Sequence, residues 1–180
     1  MNIAELITAI KNGRRWKSLY HFTDTTNLDS IRKHGLLSKA ELVARNLTAT
    51  RPGGNDVSRT LDEQRGIYDD VSLSFTDQHP MAHECRKDDR HTDQVVLWIN
   101  PSILLVEGVR LSLGIANAHN AVVRPISEAI DDMDIGILYS WADWRDPVIR
   151  ERLTPVHRYE LLVPKRVPKD FIIGKSKLGD

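Results

Sequence analysis

Apolar side chains at Ile3, Leu6, Ile7 and Ile10 recur at the spacing of one helical face, and Asn12 with Gly13 stops the run, which predicts a helix over residues 2–10. "SLYHFT" reads as a strand, and "DTTNLDSIRKHG" as a turn and helix in which Leu28 and Ile31 share a face before Gly35 ends it. "LLSKAELVARN" continues as a second helix, whereas "LTATRPGGNDVS" is too rich in Gly, Pro and polar residues for a regular element and reads as a loop. Val71, Leu73 and Phe75 then alternate with Ser72, Ser74 and Thr76, so a half-buried strand would turn both serines to the opposite face. "DQVVLWINP" is a further strand stopped by Asn100 and Pro101, "ILLVEGVRLS" another, and "NAHNAVV" a loop feeding a short element. "ISEAIDDMDIGILYS" has room for a short helix, "WADWRDPVIRERLTP" reads as a basic and aromatic loop, and "HRYELLV" and "DFIIG" are the closing strands. The order predicts an α+β class with much sheet, and with no repeat or linker the expectation is one domain over residues 1–180.

Composition changes that picture little. Hydrophobic content of 41% and charged content of 28% exclude a wholly disordered or membrane-embedded chain. A formal charge of zero removes any long-range pull on a polyanion, leaving that task to local patches. Two stand out: "KNGRRWK", and the stretch from Arg145 to Lys169, which suits a one-sided nucleic-acid contact or an ordinary solvated surface. The first ten residues carry Glu5 and no small-residue cleavage site, so no secretory signal is expected. The lone Cys85 cannot form an internal disulfide, which fits a reducing cytoplasm, the expected location.

Several side chains have both a chemical and a plain reading. His21, on a strand with Thr23 on the same face, is either a structural histidine or a donor to a ribose hydroxyl or phosphate. Asn27 is placed to cap the helix at Leu28. His79, His83, Cys85 and His91 are ligand types for zinc, but their spacing matches no zinc signature, and nothing around Cys85 marks a nucleophile; no metal is expected. "RPGGN" and "LGIANA" lack the phosphate-loop and dinucleotide fingerprints. Arg59 and Arg65 stand upstream of the "VSLSF" strand, where a guanidinium reaches a diphosphate or simply meets solvent. Trp141, Trp144 and Arg145 suit base stacking or a small satellite core. Glu160 alternates with Tyr159, so one faces the core and the other a cleft or solvent.

Taken together, "LYHFTDTTNLDSIRKHGLLS", "DDVSLSFTDQHPM" and "YELLVPKRVPKDFI" resemble the landmarks of the DarT family of toxin ADP-ribosyltransferases, which modify bases in single-stranded DNA. The likeness spans roughly residues 18–173. It implies an ADP-ribosyltransferase-like fold, a split and mostly antiparallel sheet with flanking helices, in which NAD is consumed as co-substrate. Glu160 then corresponds to the catalytic glutamate, and His21, Thr23 and Asn27 lie in the segment that helps seat NAD. The family's essential arginine falls on Arg65 or, second, Arg59, and Tyr68 and Phe75 are weaker candidates for packing around nicotinamide. Where the thymidine-modifying pattern has Val-Pro-Phe-Tyr-Phe and Arg-Ser-Pro-Met, this chain has "VSLSF" and "DQHPM", which leaves the base open.

The implied chemistry is cleavage between nicotinamide and ribose, with Glu160 bonding a ribose hydroxyl and assisting loss of the base proton. Trp141, Trp144, Arg145, Arg150, Arg158 and Arg166 are the candidate contacts to single-stranded DNA, or to RNA. As a toxin the protein would face a separate macrodomain antitoxin, and no membrane partner is expected. The rival readings are a protein ADP-ribosyltransferase or RNA 2'-phosphotransferase of the same fold, and a nucleic-acid-binding module without catalysis.

Overall fold

The computed structural model of the protein describes residues 1–54, 56–143 and 145–177. Its elements run α1 (Ile3–Asn12), β1 (Leu19–Asp24), α2 (Leu28–His34), β2 (Leu36–Leu37), α3 (Lys39–Ala44), α4 (Asp56–Gln64), β3 (Asp70–Ser74), α5 (Pro80–Lys87) and β4 (Gln94–Ile99). They continue with β5 (Arg110–Ser112), β6 (Val123–Pro125), α6 (Ile126–Ala129), α7 (Ile135–Tyr139), α8 (Pro147–Val156), β7 (Glu160–Pro164), β8 (Arg166–Val167) and β9 (Ile172–Lys177).

Local chemistry explains the boundaries. Asn2 and Glu5 form a capping box at the start of α1, whose Leu6, Ile7 and Ile10 are buried. Asp146 accepts from the Val148 amide and Pro147 occupies the first turn of α8, so much of the expected "WADWRDPVIRERLTP" loop is helix instead. "ILLVEGVRLS" is likewise not one strand: Asn100 caps a 3-10 turn over Pro101–Leu105, and only Arg110–Ser112 extend. "LLSKAELVARN" divides at Ser38, whose hydroxyl accepts from the Glu41 amide and starts α3 after the short β2. In "HRYELLV" the strand begins only at Glu160.

Seven strands form one sheet in the order β6-β5-β7-β3-β1-β4-β9, each neighbouring pair antiparallel. β2 and β8 make a separate two-stranded ribbon. The α+β class read from the chain is the class found. The ladder is continuous from Leu19↔Ile99 to Asp24↔Gln94 between β1 and β4, and from Asp70↔Pro164 to Ser74↔Glu160 between β3 and β7. Between β1 and β3 the paired register is Tyr20↔Ser74 alone, so the two halves of the sheet part beyond that point. Trp16, Leu19, Leu73, Phe75, Ile99 and Leu161 are fully buried and anchor the core around the join. Among the described residues no helix is long and apolar enough to cross a membrane.

Candidate active site

A cavity of about 270 Å³ opens where β1 and β3 part, with Tyr20 to Thr23 on one wall and Asp70 to Ser74 on the other. Separated strands leave backbone polar groups that need other partners. The His21 imidazole supplies one: its Nδ1 lies 3.0 Å from the Ser72 carbonyl. A carbonyl only accepts, so Nδ1 carries the proton and Nε2 is left as an acceptor. Burial lowers the His21 pKa below its ordinary value and keeps the ring neutral.

Asn27 does not cap α2; Asp24 instead caps the preceding turn by accepting from the Thr26 amide. The buried Asn27 side chain donates to the Thr23 hydroxyl at 3.1 Å and to the Arg51 carbonyl at 2.8 Å, and accepts from the Arg51 amide at 3.2 Å. It thereby fixes the loop that follows α3 against the end of β1. Burial works against ionisation of Asp24, yet bonds from the Thr26 amide and hydroxyl and the Asp93 and Thr92 amides hold its carboxyl well below the usual carboxylate range.

Glu160 lines the same cavity and is 8% exposed, which rules out a solvated strand-end charge. Its backbone pairs with Ser74 on one side and Ser112 on the other. Tyr159 turns into the core. The Glu160 Oε2 accepts from the Ala116 amide at 3.0 Å, and Oε1 lies 3.1 Å from His79 Nε2. The Ala116 amide comes from the segment joining β5 to β6, which is tied across the cavity: Asn117 donates to Asp62 at 2.8 Å, and Asp62 also pairs with Lys39.

The remaining candidates are spread more widely. Arg59 packs over the Tyr68 ring and pairs with Glu63, Arg65 donates to the His119 carbonyl, and neither guanidinium lines the cavity. Arg51 does line it, with its guanidinium also donating to the Asp89 carbonyl at 3.0 Å. Its place in a Gly-rich loop gave the sequence no signal. Phe75 is fully buried in the core and, like Tyr68, lies outside the cavity wall. Phe22 stands at the wall as well, its ring near-parallel to those of His21 and His79 at 6.2 Å each.

Trp141 is 70% exposed, and Arg145, Arg150 and Arg158 are exposed around α8. Arg166 is exposed on β8, paired in register with Leu37, a cavity residue. Trp144 lies outside the described residues. The four zinc-type side chains go separate ways: Cys85 donates to the Gly53 carbonyl, His91 bonds Gln94, His79 faces Glu160 and His83 is exposed. Among the described residues no group of three His, Cys, Asp or Glu is gathered as a metal site.

Three solved structures share this arrangement of elements. Thermosipho africanus DarTG in complex with ADP-ribose superimposes with a TM-score of 0.67 at 19% identity, over 88% of this chain and 43% of that one. The chain thus spans less than half the length of that relative. Thermus sp. 2.9 DarT in complex with ADP-ribosylated ssDNA gives 0.61 at 18% identity over 89% of this chain and 82% of that one. The same Thermus protein in complex with NAD+ gives 0.55 at 20% identity, over 86% and 78%. At these identities the likeness speaks for the fold. No curated protein matches the chain significantly. A family model described as "ssDNA thymidine ADP-ribosyltransferase, DarT" matches residues 20–174, and with that match over most of its length the chain belongs to the DarT family.

Proposed function

We propose that the protein is a NAD-dependent transferase that attaches ADP-ribose to a base of single-stranded DNA. The observation that carries this reading is a buried glutamate, Glu160, bonded by the Ala116 amide and facing His79 at a cavity whose other wall bears His21, Thr23 and Asn27. The family match and the relatives bound to NAD+ and ADP-ribosylated ssDNA support the same chemistry. The cavity residues fit NAD: hydroxyl, amide and imidazole groups converge with one guanidinium, Arg51, in a slot between strands.

Bound NAD supplies the ADP-ribosyl group and a nicotinamide leaving group. His21 and Asn27 hold polar parts of it, and Arg51 takes the charge of the diphosphate. Glu160 accepts from a ribose hydroxyl and, as the carbon–nitrogen bond to nicotinamide breaks, supports positive charge on the ribosyl carbon. The same carboxylate receives the proton that the base nitrogen loses as its bond to that carbon forms. Trp141 and the surface arginines Arg145, Arg150, Arg158 and Arg166 provide stacking and phosphate contact for the strand, with RNA as a second possible acceptor. We assign Arg51 the essential-arginine role in place of Arg65 or Arg59.

On this reading the protein acts in the cytoplasm as the toxin of a pair, opposed by a separate macrodomain protein that removes ADP-ribose from DNA. Incubation with NAD and mixed-sequence oligonucleotides should release nicotinamide and add one ADP-ribose mass to a base, identified by mass spectrometry of the digest. Glu160→Ala should lower both signals by about 100-fold or more. Transfer to protein alone, with unmodified oligonucleotides, would sink the assignment.

A further inference from the structure

The segment that delivers His79 is clamped on both sides. The Trp16 indole donates to Asp77 at 2.8 Å, and Thr76 Oγ1 meets His157 Nδ1 at 3.0 Å, so the two residues after Phe75 are fixed to distant parts of the chain. Beyond them His79 is 4% exposed, its ring stacked on Phe22 at an interplanar angle of 20°. Its Nδ1 accepts from the Met81 amide at 3.3 Å and caps α5. The neutral ring must then carry its proton on Nε2. That atom is buried, stands 3.1 Å from Glu160 Oε1, and has no other partner among the described residues.

The N–H direction and the carboxylate are not aligned as a full hydrogen bond. A buried donor left unpaired is costly, which favours a Glu160 side-chain orientation that meets it. Capping alone does not account for a histidine here, since Ser, Thr, Asp and Asn cap helices better. The property His adds is reach: one nitrogen holds the helix while the other meets the glutamate.

Resting on the functional reading above, we propose that His79 is a positioning residue for Glu160: its Nε2–H and the Ala116 amide hold the two carboxylate oxygens from opposite sides. A glutamate has three side-chain torsions to restrain, and a carboxylate fixed at two points keeps its remaining lone pairs aimed at ribose and base.

Two substitutions separate this role from capping. His79→Asn keeps a capping oxygen but is too short to reach Glu160; His79→Gln keeps a donor near the Nε2 position but caps poorly. Thermal melting and steady-state nicotinamide release with single-stranded DNA are measured for each. His79→Asn should melt at or above the wild-type temperature while kcat falls about tenfold or more and KM for NAD stays within about twofold. His79→Gln should melt lower yet keep more of its turnover. His79→Ser, with a second capping side chain, should repeat the asparagine result. Turnover that tracks the melting temperature in all three, or wild-type turnover in His79→Asn, overturns the proposal. Absence of turnover in the unsubstituted protein is seen before any variant is made, and takes the functional reading down together with this one.

Discussion

Asn27 and Arg51 hold each other by two hydrogen bonds, the Asn27 amide to the Arg51 carbonyl at 2.8 Å and the Arg51 amide back to Asn27 Oδ1 at 3.2 Å. Asn27→Ala leaves both backbone groups and the Thr23 hydroxyl short of a partner in a part-buried setting. The loss should be about 2 kcal/mol, read as a lower urea midpoint. KM for NAD should rise about tenfold as the loop carrying Arg51 loosens. Unchanged stability would mean that the loop is held from elsewhere.

The three arginines predict graded losses. Arg51→Ala removes the guanidinium at the cavity and should cost about 100-fold in kcat/KM. Arg65 braces the His119 carbonyl, in the segment that brings the Ala116 amide to Glu160, so Arg65→Ala should cost about fivefold in kcat with little change in KM. Arg59, stacked on Tyr68 and paired with Glu63 at the surface, should tolerate alanine within about twofold. Steady-state kinetics on the three variants checks the ranking, and a loss at Arg59 or Arg65 larger than that at Arg51 would reassign the role.

Acid should destabilise the fold in a defined window. Burial lowers the pKa of His21, His91 and His157 from the ordinary 6.5, so the unfolded chain binds more protons than the folded one once the pH drops below that value. Their contribution is complete above about pH 6.5 and shrinks as the pH falls further. Asp24, depressed as well, adds a second loss at more acid pH, below its unfolded value of 3.8. Denaturant midpoints should therefore fall between about pH 7 and about pH 5. A flat profile over that range would show that these rings are not held neutral.

How much of this could be read along the chain depended on how local the cause was. The β1 to α2 stretch and the Val71, Leu73, Phe75 alternation are periodic signals, and they located two walls of the cavity. Asp146 and Pro147 were readable start signals for α8 that the dense basic and aromatic character of the segment masked. Arg51 was hidden for another reason. Its loop has no periodicity, and its position is set by bonds from Asn27, Cys85 and Arg90 to residues 51 and 53, all remote in sequence. His79 and Glu160 meet only because β3 and β7 pair with Ser74 opposite Glu160, a register that no spacing along the chain encodes. The serines show the same limit: Ser72 is exposed as alternation predicts, but Ser74 is buried beside the glutamate strand.

The two-sided pairing of residue 160 has a practical side. With Ser74 and Ser112 in register on either side of it, the position is held by both neighbouring strands whatever side chain it carries. Glu160→Gln, nearly identical in shape, should therefore give a disarmed copy with an undisturbed strand backbone, in which one of the two donors around the carboxylate loses its acceptor. If the proposed function holds, cells that the active protein harms would tolerate such a copy, and it would retain NAD and a DNA strand side by side for long enough to be crystallised.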